Sequence, residues 1–382
     1  MPIFSTLSRL NGDNGDNGDN GDGRFAGGGR RLLSPYTSGA LISSRDGIVG
    51  PWVDPARAPP DCGTEQEQAM ARWSPRVRGH VLHFDLMAGL GFGARARAGS
   101  VWIELPSGSG KGDGGQGAQF VVLSRPPNED LLGKQLQHVR NYADLRRDRA
   151  AEILSQTSDI ISFSAGIGLL HPQRTRYTLE LLAALLRATV AAEMRLKHAL
   201  ACPRPDEFSA QVNPMIQTPG HGSLPSGHAT ESFLVAHVLS ALLRARERAV
   251  YGSNRVWRTQ LMRQAARIAT NRVIAGVHFP VDSAAGQILG TCLAGYFLRR
   301  CEGRRATVQG WAFDGRAYGE RDFAWCEIDT ALHSKDSLPY LEKAESVRVR
   351  ADAHGPLPWL WQRARAEWRD CNDAAAVEES TA

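Results

Sequence analysis

No apolar run in this chain approaches the ~20 residues that a membrane-crossing helix needs. The longest, Phe233 to Leu243 and Ile288 to Leu298, fall well short, so no membrane span is expected. The N-terminus offers no secretory leader: Met1-Pro2-Ile3-Phe4-Ser5 runs into a Gly/Asp/Asn repeat and not into an apolar stretch. The chain therefore reads as cytoplasmic. Its six cysteines (Cys62, Cys202, Cys292, Cys301, Cys326 and Cys371) are scattered, with no CxxC pair and no metal-ligand spacing. That excludes a disulfide-stapled framework and a zinc site, and predicts reduced thiols. Charge of one sign is also scarce: 45 basic against 40 acidic residues leave only +5. With no basic stripe interleaved with aromatics, nucleic acid binding is not expected, and a small anionic substrate suits the balance better.

What is present falls into four stretches. Residues 1–60 read as a flexible Gly/Asp/Pro-rich arm, with the repeat NGDNGDNGDNGDG at 11–23. Its Asp and Asn lack EF-hand spacing and a terminal Glu, so it reads as a solvated tail and not as a calcium loop. Residues 61–127 read as a small strand-containing segment, with His80–Leu86, Ser100–Leu105 and Gln119–Leu123 as strands. The Gly-rich loop between Ser107 and Gly117 holds Gly108-Ser109-Gly110-Lys111, yet fails as a nucleotide P-loop. Leu105 stands where the first glycine belongs, and Gly112 replaces the magnesium-binding hydroxyl.

Residues 128–300 carry helical periodicity in five runs: 131–156, 175–201, 229–245, 259–275 and 281–299. Breaks are expected at Gly166, Pro172, Pro203, Pro214, Gly252 and Pro280. Residues 301–382 read as an irregular extension rich in tryptophan (Trp311, Trp325, Trp359, Trp361, Trp368), packing on the bundle or building a homo-oligomer contact. The fold class expected is mainly α, a helical bundle with a small strand-containing N-terminal segment.

Three short segments carry chemistry. Lys197 shares the apolar face of its helix with Leu186, Val190 and Met194, where a charged lysine needs a fixed anion. Arg204 follows in a Cys-Pro-Arg-Pro turn that stops the helix and fixes a guanidinium fork suited to a tetrahedral oxyanion. Pro225-Ser226-Gly227-His228 opens the next helix. Free backbone N–H groups favour an anion there, Ser226 adds a hydroxyl, Gly227 allows close approach and His228 brings a titratable imidazole. Arg272 supplies a third cation. His278 has Asp282 one turn on, a spacing that lets the carboxylate hold Nδ1–H and leave Nε2 as ligand or nucleophile.

Lys-x6-Arg-Pro, Pro-Ser-Gly-His and Arg-x5-His-x3-Asp, between 197 and 282, resemble the signature of the type 2 phosphatidic acid phosphatase and vanadium haloperoxidase superfamily. Asn271 departs from it, standing where phosphatases usually have Ser. The resemblance implies a helical fold with the site inside the bundle, and two chemistries. As a haloperoxidase, the chain would bind vanadate as cofactor through His278, with Lys197, Arg204, Ser226, Gly227 and Arg272 around it. His228 would move protons and Lys197 would polarise hydrogen peroxide for attack by halide. As a phosphatase, with no cofactor, His278 would attack a phosphate ester and His228 would protonate the leaving alcohol. His221, seven residues before His228, resembles a histidine of algal bromoperoxidases thought to handle halide or oxidant. On the lack of spans expected of the membrane phosphatases, the lack of the leader and short length expected of the secreted ones, and His221, the haloperoxidase is the reading taken from the sequence, with the soluble phosphatase as the alternative.

Overall fold

The computed structural model describes residues 35–57, 66–95, 99–105, 117–127, 131–303, 305–334, 336–349 and 352–368. The 11–23 repeat and most of the 107–117 loop lie outside these residues. In chain order the helices before the first long one are α1 (Pro35–Ile48), α2 (Gln66–Arg72), α3 (Pro75–Met87), α4 (Gly133–Tyr142), α5 (Arg146–Gln156) and α6 (Ile161–Gly168). Then come α7 (Arg176–Leu200), the short α8 (Pro205–Phe208), α9 (Gly227–Tyr251), α10 (Val256–Ile274) and α11 (Pro280–Glu302). The C-terminal part adds α12 (Gly315–Tyr318), α13 (Trp325–His333) and α14 (Pro356–Ala366). The strands are β1 (Gly91–Arg95), β2 (Ser100–Leu105), β3 (Ala118–Ser124), β4 (Ala306–Val308), β5 (Trp311–Asp314), β6 (Leu341–Lys343) and β7 (Val347–Val349). The molecule is mainly α, as expected.

The long helices follow from their local chemistry. Along α7, Leu182, Leu186, Thr189, Glu193, Leu196, Lys197 and Leu200 are buried at three- and four-residue spacing, and the helix stops at Ala201 in the left-handed region. Ser226 caps α9 by accepting from the Ala229 N–H (3.5 Å), and Gly252 ends it at φ +62°. Pro280 occupies the first turn of α11, and Gly303 closes that helix at φ +63°. α9 packs along both α10 and α11. The approach to α11 is close because α11 presents glycines. A Cβ at Gly286 would lie 2.7 Å from the Ser226 carbonyl, and one at Gly290 would lie 2.3 Å from that of Thr230. This contact brings the start of α11, with His278 and Asp282, against the start of α9.

Several expectations are corrected. His80–Leu86 is helix and not strand. Pro75 starts α3 behind the Ser74 cap, and Arg78, Leu82 and Leu86 are buried at four-residue spacing. The alternation of His, Val, Leu, His, Phe, Asp and Leu fits two periods, and the cap decides between them. Part of the supposed irregular arm is α1. The 131–156 run is broken by a 3₁₀ turn at Ala143–Leu145, and α6 runs through Gly166 with no break.

The sheet is not confined to the N-terminal half. Its order is β1-β2-β3-β5-β6, with β3 and β5 parallel and its other pairs antiparallel. The C-terminal stretch is likewise not irregular, and Trp311, Trp359, Trp361 and Trp368 are buried in it. It also caps α7: the Glu367 carboxylate accepts from the N–H groups of Tyr177 (2.7 Å) and Thr178 (2.9 Å). Among the described residues no helix is long and apolar enough to cross a membrane. Cys202, Cys292, Cys301 and Cys326 are free thiols.

Candidate active site

Lys197, Arg204 and Arg272 are each 1% exposed, an expensive place for three cations unless hydrogen bonds and charge hold them there. Lys197, in the last turn of α7, points its ammonium at the carbonyls of Gly222 (3.2 Å) and Ser223 (3.4 Å). Arg204 is fixed at both ends. Its backbone N–H donates to Glu207 Oε1 (2.7 Å). Its guanidinium donates to the carbonyls of His221 (2.9 Å) and Val277 (2.8 Å), and its Nη1 lies 3.4 Å from His278 Nε2. The loop carrying Ser223 is tied down at three points. The Ser223 N–H donates to the Cys202 carbonyl, its hydroxyl reaches the Pro203 carbonyl and Asp282 Oδ1, and the Ser226 N–H donates to the Asp282 carbonyl.

His278 and Asp282 form the expected pair. Asp282 Oδ2 accepts from His278 Nδ1 (3.0 Å) and from the Phe279 N–H (2.9 Å). The Nδ1 proton is thereby assigned, and Nε2 faces Arg204 with its lone pair. Burial, reinforced by the charges of Arg204 and Lys197 and then by His228 and His221, holds the His278 pKa well below 6.5. The imidazole is neutral, and a neutral Nε2 is what a nucleophile or a ligand requires. Lys197, Arg204, His221, His228, His278 and Asp282 are thus brought within one electrostatic neighbourhood.

Ser226 and Gly227 form the start of α9 beside it. A Cβ at Gly227 would sit 2.9 Å from the Glu193 carboxylate, so glycine lets that carboxylate lie against the helix start. Glu193, 1% exposed and one turn before Lys197, was not among the residues expected. Its signal lay in the sequence, seven residues after Leu186 on the buried face. His221 lies beside Arg204: its carbonyl accepts from Arg204 Nε (2.9 Å), and its Nδ1, 3.2 Å from Arg204 Nη2 and 3.1 Å from the Gly222 carbonyl, either accepts from the first or donates to the second. Its geometry is that of a clamp on Arg204.

Sequence reasoning missed Gln156, at the end of α5 and fully buried. Its backbone carbonyl accepts from His228 Nε2 (2.9 Å), and its Oε1 accepts from Arg272 Nη2 (3.1 Å) and Asn271 Nδ2 (3.0 Å). Arg272 can only donate, so the amide orientation is fixed, and a proton of His228 sits on Nε2, since a carbonyl can only accept. Gln156 Nε2 has no hydrogen-bond partner among the described residues, which leaves a donor beside Arg272. Gln156→Ala is expected to weaken phosphate binding by about 1.5–3 kcal/mol through loss of a bond to a charged group. Phosphate inhibition constants measure this, and unchanged affinity would remove Gln156 from the site. Asn271, the departure noted above, belongs to the same network and holds Glu152 as well.

The turn between α10 and α11 is braced by Arg146, which donates to the carbonyls of Ile274, Asn213 and Val212. Gly276 makes room for it: φ is +83°, and a Cβ would lie 2.6 Å from the Arg146 guanidinium.

Residues 177–305 match the family model described as the PAP2 superfamily. Among solved structures the chain is similar to a transmembrane PAP2-type phosphatidylglycerolphosphate phosphatase from Bacillus subtilis. The match has 19% identity, covers 43% of this chain and 82% of that one, and has a TM-score of 0.34. Comparison with curated proteins gives no match. All three signature segments lie inside the matched residues.

Proposed function

We propose that this chain is a phosphoric ester hydrolase that works through a phosphohistidine at His278. The observation that carries the reading is the neutral His278 imidazole, held at Nδ1 by Asp282 with Nε2 turned to Arg204. In this scheme Lys197, Arg204, Arg272 and the N-terminus of α9 hold the phosphoryl oxygens, a set of donors placed where negative charge develops. The Nε2 lone pair forms the N–P bond as the P–O ester bond breaks. Protonated His228 gives its Nδ1 proton to the departing alkoxide, keeping its Nε2–H on the Gln156 carbonyl. Neutral His228 then takes a proton from water, which attacks phosphorus and releases phosphate and His278. The match of residues 177–305 to the PAP2 superfamily model supports this reaction class. So does the engagement of His221 with Arg204, because one of the three grounds for the haloperoxidase reading has another use.

One observation keeps that second reading in view: His221 does stand beside the same pocket, 3.2 Å from Arg204. The donors fit vanadate as they fit phosphate, and His278 Nε2 with Lys197, Arg204 and Arg272 would hold it. Vanadate would supply activation of hydrogen peroxide toward halide. A paired assay separates the two. Hydrolysis of p-nitrophenyl phosphate, inhibited by vanadate and raised in KM by His221→Ala, is expected. Bromide oxidation by hydrogen peroxide only after vanadate loading, without ester hydrolysis, would overturn the phosphatase.

A further inference from the structure

A cavity of about 400 Å³ opens where the second half of α9, the start of α10 and α13 meet. His237 lies in it nine residues beyond His228 on α9, so about 13 Å of helix rise separates it from the site described above. Of its lining only Ala241 is apolar. The rest includes Arg244, Arg255 and Arg258, the hydroxyls of Ser240, Thr330 and Ser334, and the rings of His237 and His333.

The charges there are not balanced within the cavity. Asp329 is occupied by Arg258, at 2.8 and 3.0 Å, and Glu247 accepts from the Arg258 backbone N–H at 3.0 Å. The side chains of Arg244 and Arg255 make no hydrogen bond or ion pair among the described residues. Burial and the neighbouring Arg258 push the Arg255 pKa down, as expected for crowded like charges. His237 donates or accepts at Thr291 Oγ1 (3.1 Å) and stacks on His333 with ring centroids 5.9 Å apart. Two guanidinium forks without a hydrogen-bond partner among the described residues, together with three hydroxyls, make the chemistry of an oxyanion receptor. The volume exceeds what a lone inorganic ion fills and falls within the range of small-molecule pockets.

We propose that this cavity is a second binding site, for a small molecule bearing a phosphate or carboxylate group, held by Arg244 and Arg255. The site is independent of the reaction assigned to His278. Isothermal titration of the full chain with phenylphosphonate, and separately with citrate, tests it. The doubly substituted Arg244→Ala, Arg255→Ala chain is expected to bind one equivalent fewer of at least one probe than the wild type, with the melting temperature unchanged. A His278→Ala chain is expected to keep that equivalent, which separates this site from the one at His278. Both arginines are exposed, so folding is not at risk. Loss of the equivalent for phenylphosphonate alone assigns a phosphate ester, and for citrate alone a carboxylate. No binding of either probe by the wild type, or equal stoichiometry in the wild type and the double variant, would overturn the proposal.

Discussion

His278→Ala is expected to abolish ester hydrolysis and to leave no phosphorylated protein, while the fold survives. The imidazole would supply the only bond from the protein to phosphorus, so its loss removes a step and not merely a stabilising contact. His228→Ala is expected to behave differently. Phosphate still binds, and turnover falls by ~10²–10⁴, the span of a general acid–base. Steady-state rates with phosphate inhibition constants separate the two, and full activity in either variant would remove that histidine from the mechanism.

The depressed His278 pKa also fixes a sign. In the free enzyme Nε2 keeps its lone pair as pH falls through 6.5, so kcat/KM should not drop there on account of His278. The unfolded chain does take up that proton, so this group makes the fold less stable as pH falls below 6.5.

The second large effect is structural. Gly290→Ala is expected to destabilise the protein by about 1–3 kcal/mol or more, the range for overpacking, because the new Cβ meets the Thr230 carbonyl at 2.3 Å. Backbone cannot swing aside as a flexible side chain can, so α9 and α11 must separate. The start of α9 then moves away from His278, and phosphate affinity should fall with stability. Gly295, five residues on in the same helix, is the internal control: nothing lies within 4 Å of its Cβ position. Gly295→Ala should stabilise by up to about 1 kcal/mol through helix propensity alone. Thermal melts of both variants check the contrast, and equal shifts would deny the close helix contact.

Much of the site was legible because its residues act through side-chain chemistry at fixed local spacing. Four residues put Asp282 under His278, and Pro225-Ser226-Gly227 announces a helix start. The long helices were legible from their apolar period. What escaped depends on tertiary placement. Gln156 matters through a backbone carbonyl and an amide that meet His228 and Arg272 only once α5 packs on α10. Gly286 and Gly290 signal by lacking side chains, which a hydrophobic pattern registers as nothing. The parallel partner of β3 lies nearly two hundred residues away in β5, beyond any local signal. His221 contacts Arg204, a bond that could not be read from an offset of seven.

The most direct test is to mix p-nitrophenyl phosphate, whose leaving group departs without a proton, with His228→Ala enzyme, where the second step is slowed, quench in alkali to preserve an acid-labile phosphohistidine, and map the peptides by mass spectrometry. The proposed mechanism predicts a phosphoryl group on His278 and on no other residue. Ester turnover with the group elsewhere, or with none on His278 at any time, would contradict it.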